Sequence, residues 1–176
     1  MNRAVFIDRD GVINRATVKD GRPYPPMSLE EFELLPGVTE ATKALSQAAF
    51  KLVVVTNQPD VATGIQKRSV VETMHQTIRK SLPLDSIKVC YHVDDNGCHC
   101  RKPLPGMLLD AASELSLDLS KSFMIGDRWR DVEAGKAAGC KTILVESAYS
   151  EKSAQNPDAV VSSLLEASQL ILAQSI

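Results

Sequence analysis

Residues 3–12 read RAVFIDRDGV: an apolar run from Arg3 to Ile7 is cut off by Asp8, and a second carboxylate, Asp10, precedes Gly11. Consecutive apolar side chains predict a strand buried on both faces, because a strand with one wet face would alternate. Lys51 to Thr56, KLVVVT, carries β-branched residues in succession and predicts a second such strand. Further short apolar runs follow at Ile87 to Tyr91, Phe123 to Ile125, Thr142 to Val145 and Ala159 to Val161. The stretches between them carry helical patterns at Val38 to Gln47, Ser69 to Lys80, Gly106 to Leu115, Asp131 to Ala138 and Ser163 to Gln174, with Gly139 as a C-terminal cap. Strands alternating with helices predict an α/β fold, a doubly wound parallel sheet of Rossmann-like design without a cap domain. Ligands of such sheets collect outside the carboxyl ends of the strands. Asp8, Thr56 and Asp127 all lie at or just past those ends, so the topology predicts their convergence.

A chain of 176 residues can bury about two-thirds of the surface it exposes when unfolded, which fits a single domain over residues 1–176. Its apolar fraction of 44% and charged fraction of 24% are ordinary, and a net charge of -2 gives no reason to expect a nucleic-acid partner. No apolar stretch approaches the length of a signal peptide or membrane span, so the expectation is a cytoplasmic protein without a membrane partner. Nothing in the sequence fixes an oligomeric state, and a monomer is compatible with it.

Two carboxylates two residues apart, after a strand and before a glycine, can divide labour. One serves as nucleophile or metal ligand and the other handles the proton of a leaving group. An isolated Asp-x-Asp-Gly more often opens a solvated loop, so the weight rests on what accompanies it. Thr56, Asn57 and Gln58 end an apolar strand with a hydroxyl and two amides, groups suited to phosphate oxygens. Gly126-Asp127 ends another, with Asp131 four residues on, and Asp127 and Asp131 can supply hard oxygen ligands to Mg²⁺, directly or through water. By itself Asp131 would be a favourable charge at a helix N-terminus. Lys102 adds a point charge able to hold a phosphoryl group and to offset repulsion among the carboxylates.

In this order the segments resemble the haloacid dehalogenase (HAD) superfamily of phosphohydrolases, whose motifs are an Asp-x-Asp pair, a strand-end Thr or Ser, a Lys and a Gly-Asp-x-x-x-Asp. The resemblance spans roughly residues 4 to 135. It implies attack on phosphorus by Asp8, proton transfer by Asp10, phosphoryl contacts from Thr56 and Lys102, and Mg²⁺ held by Asp8, the Asp10 carbonyl and Asp127.

The four cysteines divide unevenly: Cys90, Cys98 and Cys100 crowd around His92, while Cys140 stands alone and is expected to pack as a small hydrophobe. Three thiolates and an imidazole form a closed set of the kind structural Zn²⁺ prefers, in a loop over residues 90–100 that would shape the presentation of Arg101 and Lys102. His99, between two ligands, is left exposed or facing substrate, and His75, in a helix, is structural or solvated. Cys-x-His-x₅-Cys-x-Cys-Arg-Lys-Pro looks like the zinc loop of two groups in the superfamily, the heptose bisphosphate phosphatases and the histidinol-phosphate phosphatases. The Lys-Pro-x-Pro-Gly-Met and Val-Val-Thr-Asn-Gln contexts lie closer to the first group, in which Arg101 would grip a second phosphate. One departure is Thr63, where the heptose enzymes usually carry an Arg before Gly64. The expected partner is a small sugar phosphate, recognised by the loops at 15–30, 58–66 and 93–101. A histidinol-phosphate phosphatase and a non-catalytic phosphosugar-binding module remain as alternatives.

Overall fold

A computed structural model describes residues 1–94 and 97–174; Asp95 and Asn96, part of the expected recognition loop at 93–101, lie outside the described residues. The chain forms β1 (Arg3–Ile7), a small hairpin of β2 (Thr17–Lys19) and β3 (Arg22–Tyr24), α1 (Val38–Gln47), β4 (Phe50–Asn57), α2 (Arg68–Ser81), β5 (Ser86–Cys90), α3 (Gly106–Leu115), β6 (Phe123–Gly126), α4 (Trp129–Ala138), β7 (Lys141–Val145), β8 (Ala159–Val161) and α5 (Leu164–Leu172). Six of the strands make one sheet in the order β5-β4-β1-β6-β7-β8. Every pairing in it is parallel.

The runs read as doubly buried are so in fact: Ala4 to Ile7 and Leu52 to Val55 are all closed to solvent. Because side chains alternate along a strand, each run feeds two cores. Val5, Ile7, Leu52, Val54 and Ile125 pack with Val38, Leu45, Ile78, Leu164 and Ile171 from α1, α2 and α5. Ala4, Phe6, Val53, Val55 and Met124 pack on the other face with Met107, Leu108, Ala134 and Ala138 of α3 and α4. At about 25 cal/mol per Å² of apolar surface, each fully buried Val, Leu or Ile contributes about 1.5–3 kcal/mol toward the entropy cost of ordering the chain.

From β1 the chain builds outward through β4 to β5, then returns to the opposite side of β1 to lay down β6, β7 and β8. The strand order therefore reverses beside β1, where a crevice opens at the carboxyl ends. Asp8 leaves β1 at that point. The β2–β3 hairpin grows from the loop after β1. Its strands are short and mostly exposed, so they carry no apolar periodicity that would have betrayed them. Among the described residues no helix is long and apolar enough to cross a membrane.

Candidate active site

The Asp8 amide donates to the Ile125 carbonyl at 2.9 Å, which ties the first residue past β1 to its neighbour β6 and fixes where the carboxylate emerges. Asp8 Oδ1 accepts from Lys102 Nζ at 2.8 Å. The same ammonium contacts Asp131 Oδ1 at 2.6 Å and donates to the Val55 carbonyl at 2.7 Å. Lys102 thus holds all three of its partners while only 2% exposed. Burial alone would favour the neutral amine, but Asp131 and Asp8 outweigh it and hold the proton above lysine's usual range.

Three buried carboxylates, Asp8, Asp127 and Asp131, bring ligand atoms within 4.8 Å of one another. Burial is the main influence on Asp8 and pushes it up to about 6; Lys102 pulls it down and Asp131 adds repulsion. Asp127 is pushed well above its usual value, first by burial and then by Asp8 and Asp131. Three acids against one ammonium leave the cluster short of positive charge. Asp127 Oδ1 is also buried without a hydrogen-bond partner, while Oδ2 accepts from the Tyr149 hydroxyl at 2.5 Å. Unpaired buried oxygens of this kind call for a cation, and a hard oxygen set suits Mg²⁺. Asp131 is placed differently: Oδ1 is spent on Lys102, and Oδ2 accepts from the Arg128 amide at 3.0 Å at the start of α4.

Two glycines make room for this crowding. A Cβ on Gly11 would lie 1.9 Å from Asp127 Oδ2, and its φ of +89° already disfavours any side chain. On Gly126 a Cβ would meet Asp131 Cβ and Cγ at 2.2 Å.

Asp10 faces the cleft from the side. Arg9 grips both of its oxygens, with Nε to Oδ1 at 3.1 Å and NH2 to Oδ1 and Oδ2 at 2.9 and 3.0 Å. Asn14 Nδ2 donates to Oδ1 at 2.9 Å and Gln58 Nε2 to Oδ2 at 2.7 Å. Gln58 Nε2 also reaches Thr56 Oγ1 at 2.9 Å, so the strand-end hydroxyl and the second carboxylate share one amide. Asn57 spends both polar atoms on the backbone of Lys102, accepting from its N–H at 3.1 Å and donating to its carbonyl at 3.0 Å. That paired contact anchors the Lys102 loop to β4.

Asp8, Asp10, Thr56, Asn57, Lys102 and Asp131 line a cleft of about 180 Å³ together with Pro23, Tyr24, Pro25, Pro59 and Asp60. Two guanidiniums, Arg128 and Arg130, complete it. Arg130 donates to the Lys102 carbonyl and to Asp94 at 3.3 Å, and Arg128 pairs with Glu151 at 2.9 Å through Nε. Arg101 is not among the lining residues. Its Nε donates to Asp94 at 2.6 Å and NH1 to the His92 carbonyl at 3.1 Å, which ties it to the cysteine loop. The sequence reading passed over Arg128 and Arg130, yet a signal was present: cations at a helix N-terminus oppose the macrodipole, and two there ask for another purpose.

Cys90, His92, Cys98 and Cys100 form a second cluster. Cys90 Sγ lies 3.8 Å from Cys98 Sγ and 3.5 Å from His92 Nδ1, and Cys100 Sγ lies 3.3 Å from the same nitrogen. A disulfide needs sulfurs about 2.05 Å apart. With Zn–S bonds of about 2.3 Å and Zn–N of about 2.0 Å, a tetrahedron has edges of about 3.8 Å between sulfurs and about 3.5 Å from sulfur to nitrogen. The donors fit a zinc ion. His99 is excluded from the set, exposed and paired with Asp110 of α3 at 3.0 Å. Cys140 is buried in the second core.

A parallel sheet that reverses beside a strand-end aspartate, with a lysine and two more aspartates gathered over it, defines a HAD-like hydrolase. The sequence profile of the HAD-hydrolase-like family matches residues 99–167. A D-glycero-beta-D-manno-heptose-1,7-bisphosphate 7-phosphatase of Yersinia pestis is 38% identical over 79% of this chain and 77% of its own, and that of Escherichia coli K12 is 36% identical over 97% and 94%. Among solved structures, the D,D-heptose 1,7-bisphosphate phosphatase of B. bronchiseptica, complexed with magnesium and phosphate, superposes with a TM-score of 0.81 at 30% identity, covering 98% of this chain and 99% of its own. The chain belongs to the HAD-like hydrolases, in the family of these heptose bisphosphate phosphatases.

Proposed function

We propose that the protein is a Mg²⁺-dependent phosphatase that removes the 7-phosphate of D-glycero-β-D-manno-heptose 1,7-bisphosphate, a cytoplasmic sugar metabolite. The observation that carries the chemistry is Asp8: a buried carboxylate at the cleft floor, one oxygen on Lys102 and the other free to approach phosphorus. The substrate rests on the relatives, which carry that activity in their names over most of this chain's length.

Asp8 attacks phosphorus in line and forms an aspartyl-phosphate as the sugar oxygen departs. Asp10 protonates that oxygen, then takes a proton from the water that hydrolyses the intermediate. Thr56 holds a phosphoryl oxygen, and Lys102, whose three donors go to Asp8, Asp131 and Val55, acts on the phosphoryl group as a nearby positive charge. Asp8, the Asp10 carbonyl and Asp127 would hold Mg²⁺, which would supply charge neutralisation between the anionic nucleophile and its anionic target. Asp131 acts through Lys102, whose ammonium it holds in register with Asp8. Zinc in the cysteine loop is structural, since every ligand position is a protein atom. Arg130 and Arg128 line the cleft where Arg101 does not, so we assign them the second phosphate and leave Arg101 to brace Asp94.

Phosphate release with Mg²⁺ from heptose 1,7-bisphosphate in both anomers, histidinol phosphate and fructose 1,6-bisphosphate tests the assignment. The expected result is a preference in kcat/KM of at least about 100-fold for the heptose β anomer, about 2.7 kcal/mol in the transition state. A preference for histidinol phosphate would keep the chemistry and overturn the substrate, and tight binding without release on every compound would overturn both.

A further inference from the structure

Arg9 is the largest side chain among the described residues that solvent does not reach at all. It stands between the two aspartates of the first motif, yet points the other way, beneath α2. A buried guanidinium is costly unless its donors are met. Nε and NH2 meet Asp10, as described, and NH1 lies 3.1 Å from His75 Nε2. We propose that His75, acting through Arg9, is a positioning residue for the Asp10 carboxylate, an inference that rests on the reading of Asp10 as proton donor.

The direction of the Arg9–His75 bond follows from chemistry. A guanidinium only donates, so Nε2 accepts with its lone pair and the ring proton sits on Nδ1. Burial, followed by the adjacent Arg9 charge, pushes the imidazole down to about 4, in keeping with a neutral ring. That tautomer leaves Nδ1 buried without a hydrogen-bond partner; the nearest acid oxygen, on Glu72, is 3.8 Å away. Glu72 itself accepts from the Tyr91 hydroxyl. An unpaired buried N–H costs about 1–3 kcal/mol, which a Phe or Leu filling the same space would avoid. What the histidine offers in exchange is an acceptor that cannot be replaced by backbone, aimed at the one arm of Arg9 that Asp10 leaves over.

With that arm held, the other edge of the guanidinium presents a fixed fork to Asp10. Asn14 and Gln58 meet the same carboxylate from its flanks, but each donates to a single oxygen. Only the fork spans both, so it sets the plane of the carboxylate. Without His75 the guanidinium would turn toward another acceptor and carry Asp10 with it.

The test uses leaving groups. Because kcat/KM reports only the steps through formation of the aspartyl-phosphate, it isolates protonation of the departing oxygen. A sugar alkoxide needs that proton, whereas the phenolate of p-nitrophenyl phosphate leaves without it. His75→Phe should lower kcat/KM on the sugar bisphosphate by about 30-fold or more and on p-nitrophenyl phosphate by less than about threefold, with His75→Gln, whose amide oxygen can stand near the Nε2 position, recovering most of the loss. His75→Asn, too short to reach Arg9, should behave as His75→Phe and serves in its place if the Phe variant does not fold. Asp10→Asn, run beside them, should show the same contrast between substrates. Equal losses on both substrates, or no loss in folded His75 variants while Asp10→Asn keeps its contrast, would overturn the positioning role alone. An Asp10→Asn variant without the contrast would overturn the reading of Asp10 and the inference with it.

Discussion

Two groups of side chains able to hold a metal ion stand at the carboxyl edge of the sheet, and they are built by different means. The carboxylates come from the ends of β1 and β6 and the start of α4, far apart in sequence, and each is locked by contacts that the fold supplies: Ile125 for Asp8, Tyr149 for Asp127, Lys102 and the Arg128 amide for Asp131. The thiols come from Cys90, the last residue of β5, and from the loop that follows it, and their polar side-chain contacts are with each other and with His92. Folding of the sheet assembles the first group whether or not a cation is present. In the second, Cys90 is anchored by β5, and a bound ion would add the scaffold for the other three ligands, which a short loop carries with little apolar burial of its own.

The largest expected effect breaks the first group. Asp8→Asn removes the proposed nucleophile while leaving the sheet intact, so turnover should fall by at least about 10⁴-fold with an unchanged far-ultraviolet circular dichroism spectrum. Retained turnover would mean that the assembled carboxylates do no covalent chemistry.

Removal of zinc breaks the second group and should cost less. A chelated protein, verified zinc-free by mass spectrometry and assayed with Mg²⁺ restored, should lose about 10-fold in kcat/KM and several degrees in Tm, since the loop releases Arg101 and Asp94 while Asn57 still pins Lys102. Inactivation as complete as that of Asp8→Asn would show that the two groups are one cooperative unit.

A finer comparison sets the cation on each side of Asp94 against the other. Arg130→Ala should lower kcat/KM on a bisphosphate by about 10- to 100-fold and leave a monophosphate unaffected, as expected for a lost charge-assisted hydrogen bond of about 1.5–3 kcal/mol. Arg101→Ala should discriminate less between the two substrates. The reverse ranking would move the second-phosphate contact to the cysteine loop.

The smallest effect concerns stability. In the unfolded chain His75 takes up a proton near pH 6.5, whereas the native ring stays neutral down to about 4. The unfolded state therefore binds more protons across that window, and stability drops as pH falls through it, by about 3 kcal/mol at most. Urea titrations at pH 7 and pH 4.5 should show His75→Phe losing less stability on acidification than the parent. An equal loss in both would assign the acid limb to the carboxylates alone.

The same contrast governs what the sequence disclosed. The central strands β1, β4 and β6 were legible because burial on two faces demands a near-unbroken apolar run, and Asp8, Thr56 and Asp127 were legible because such a run ends at a charge or hydroxyl. The cysteine loop could be read from spacing alone. The hairpin at Thr17–Tyr24 could not, since exposed strands leave no periodic trace. Nor could the partners of Asn57 and Arg101: which polar group meets which depends on the separation of loops in space, and no local pattern records that. Arg9 was hidden for a related reason, since its neighbours in the motif drew attention to the cleft while its own side chain turned inward.

One consequence reaches past catalysis. Asp131 occupies the space that any side chain at position 126 would need, so the glycine of Gly126-Asp127-Arg128-Trp129-Arg130-Asp131 is less a hinge than a mould from which the last residue of the motif is cast. Adding a methyl group at 126 displaces an acid that keeps Lys102 charged. A side chain at 126 is therefore admitted only where the residue at 131 gives way.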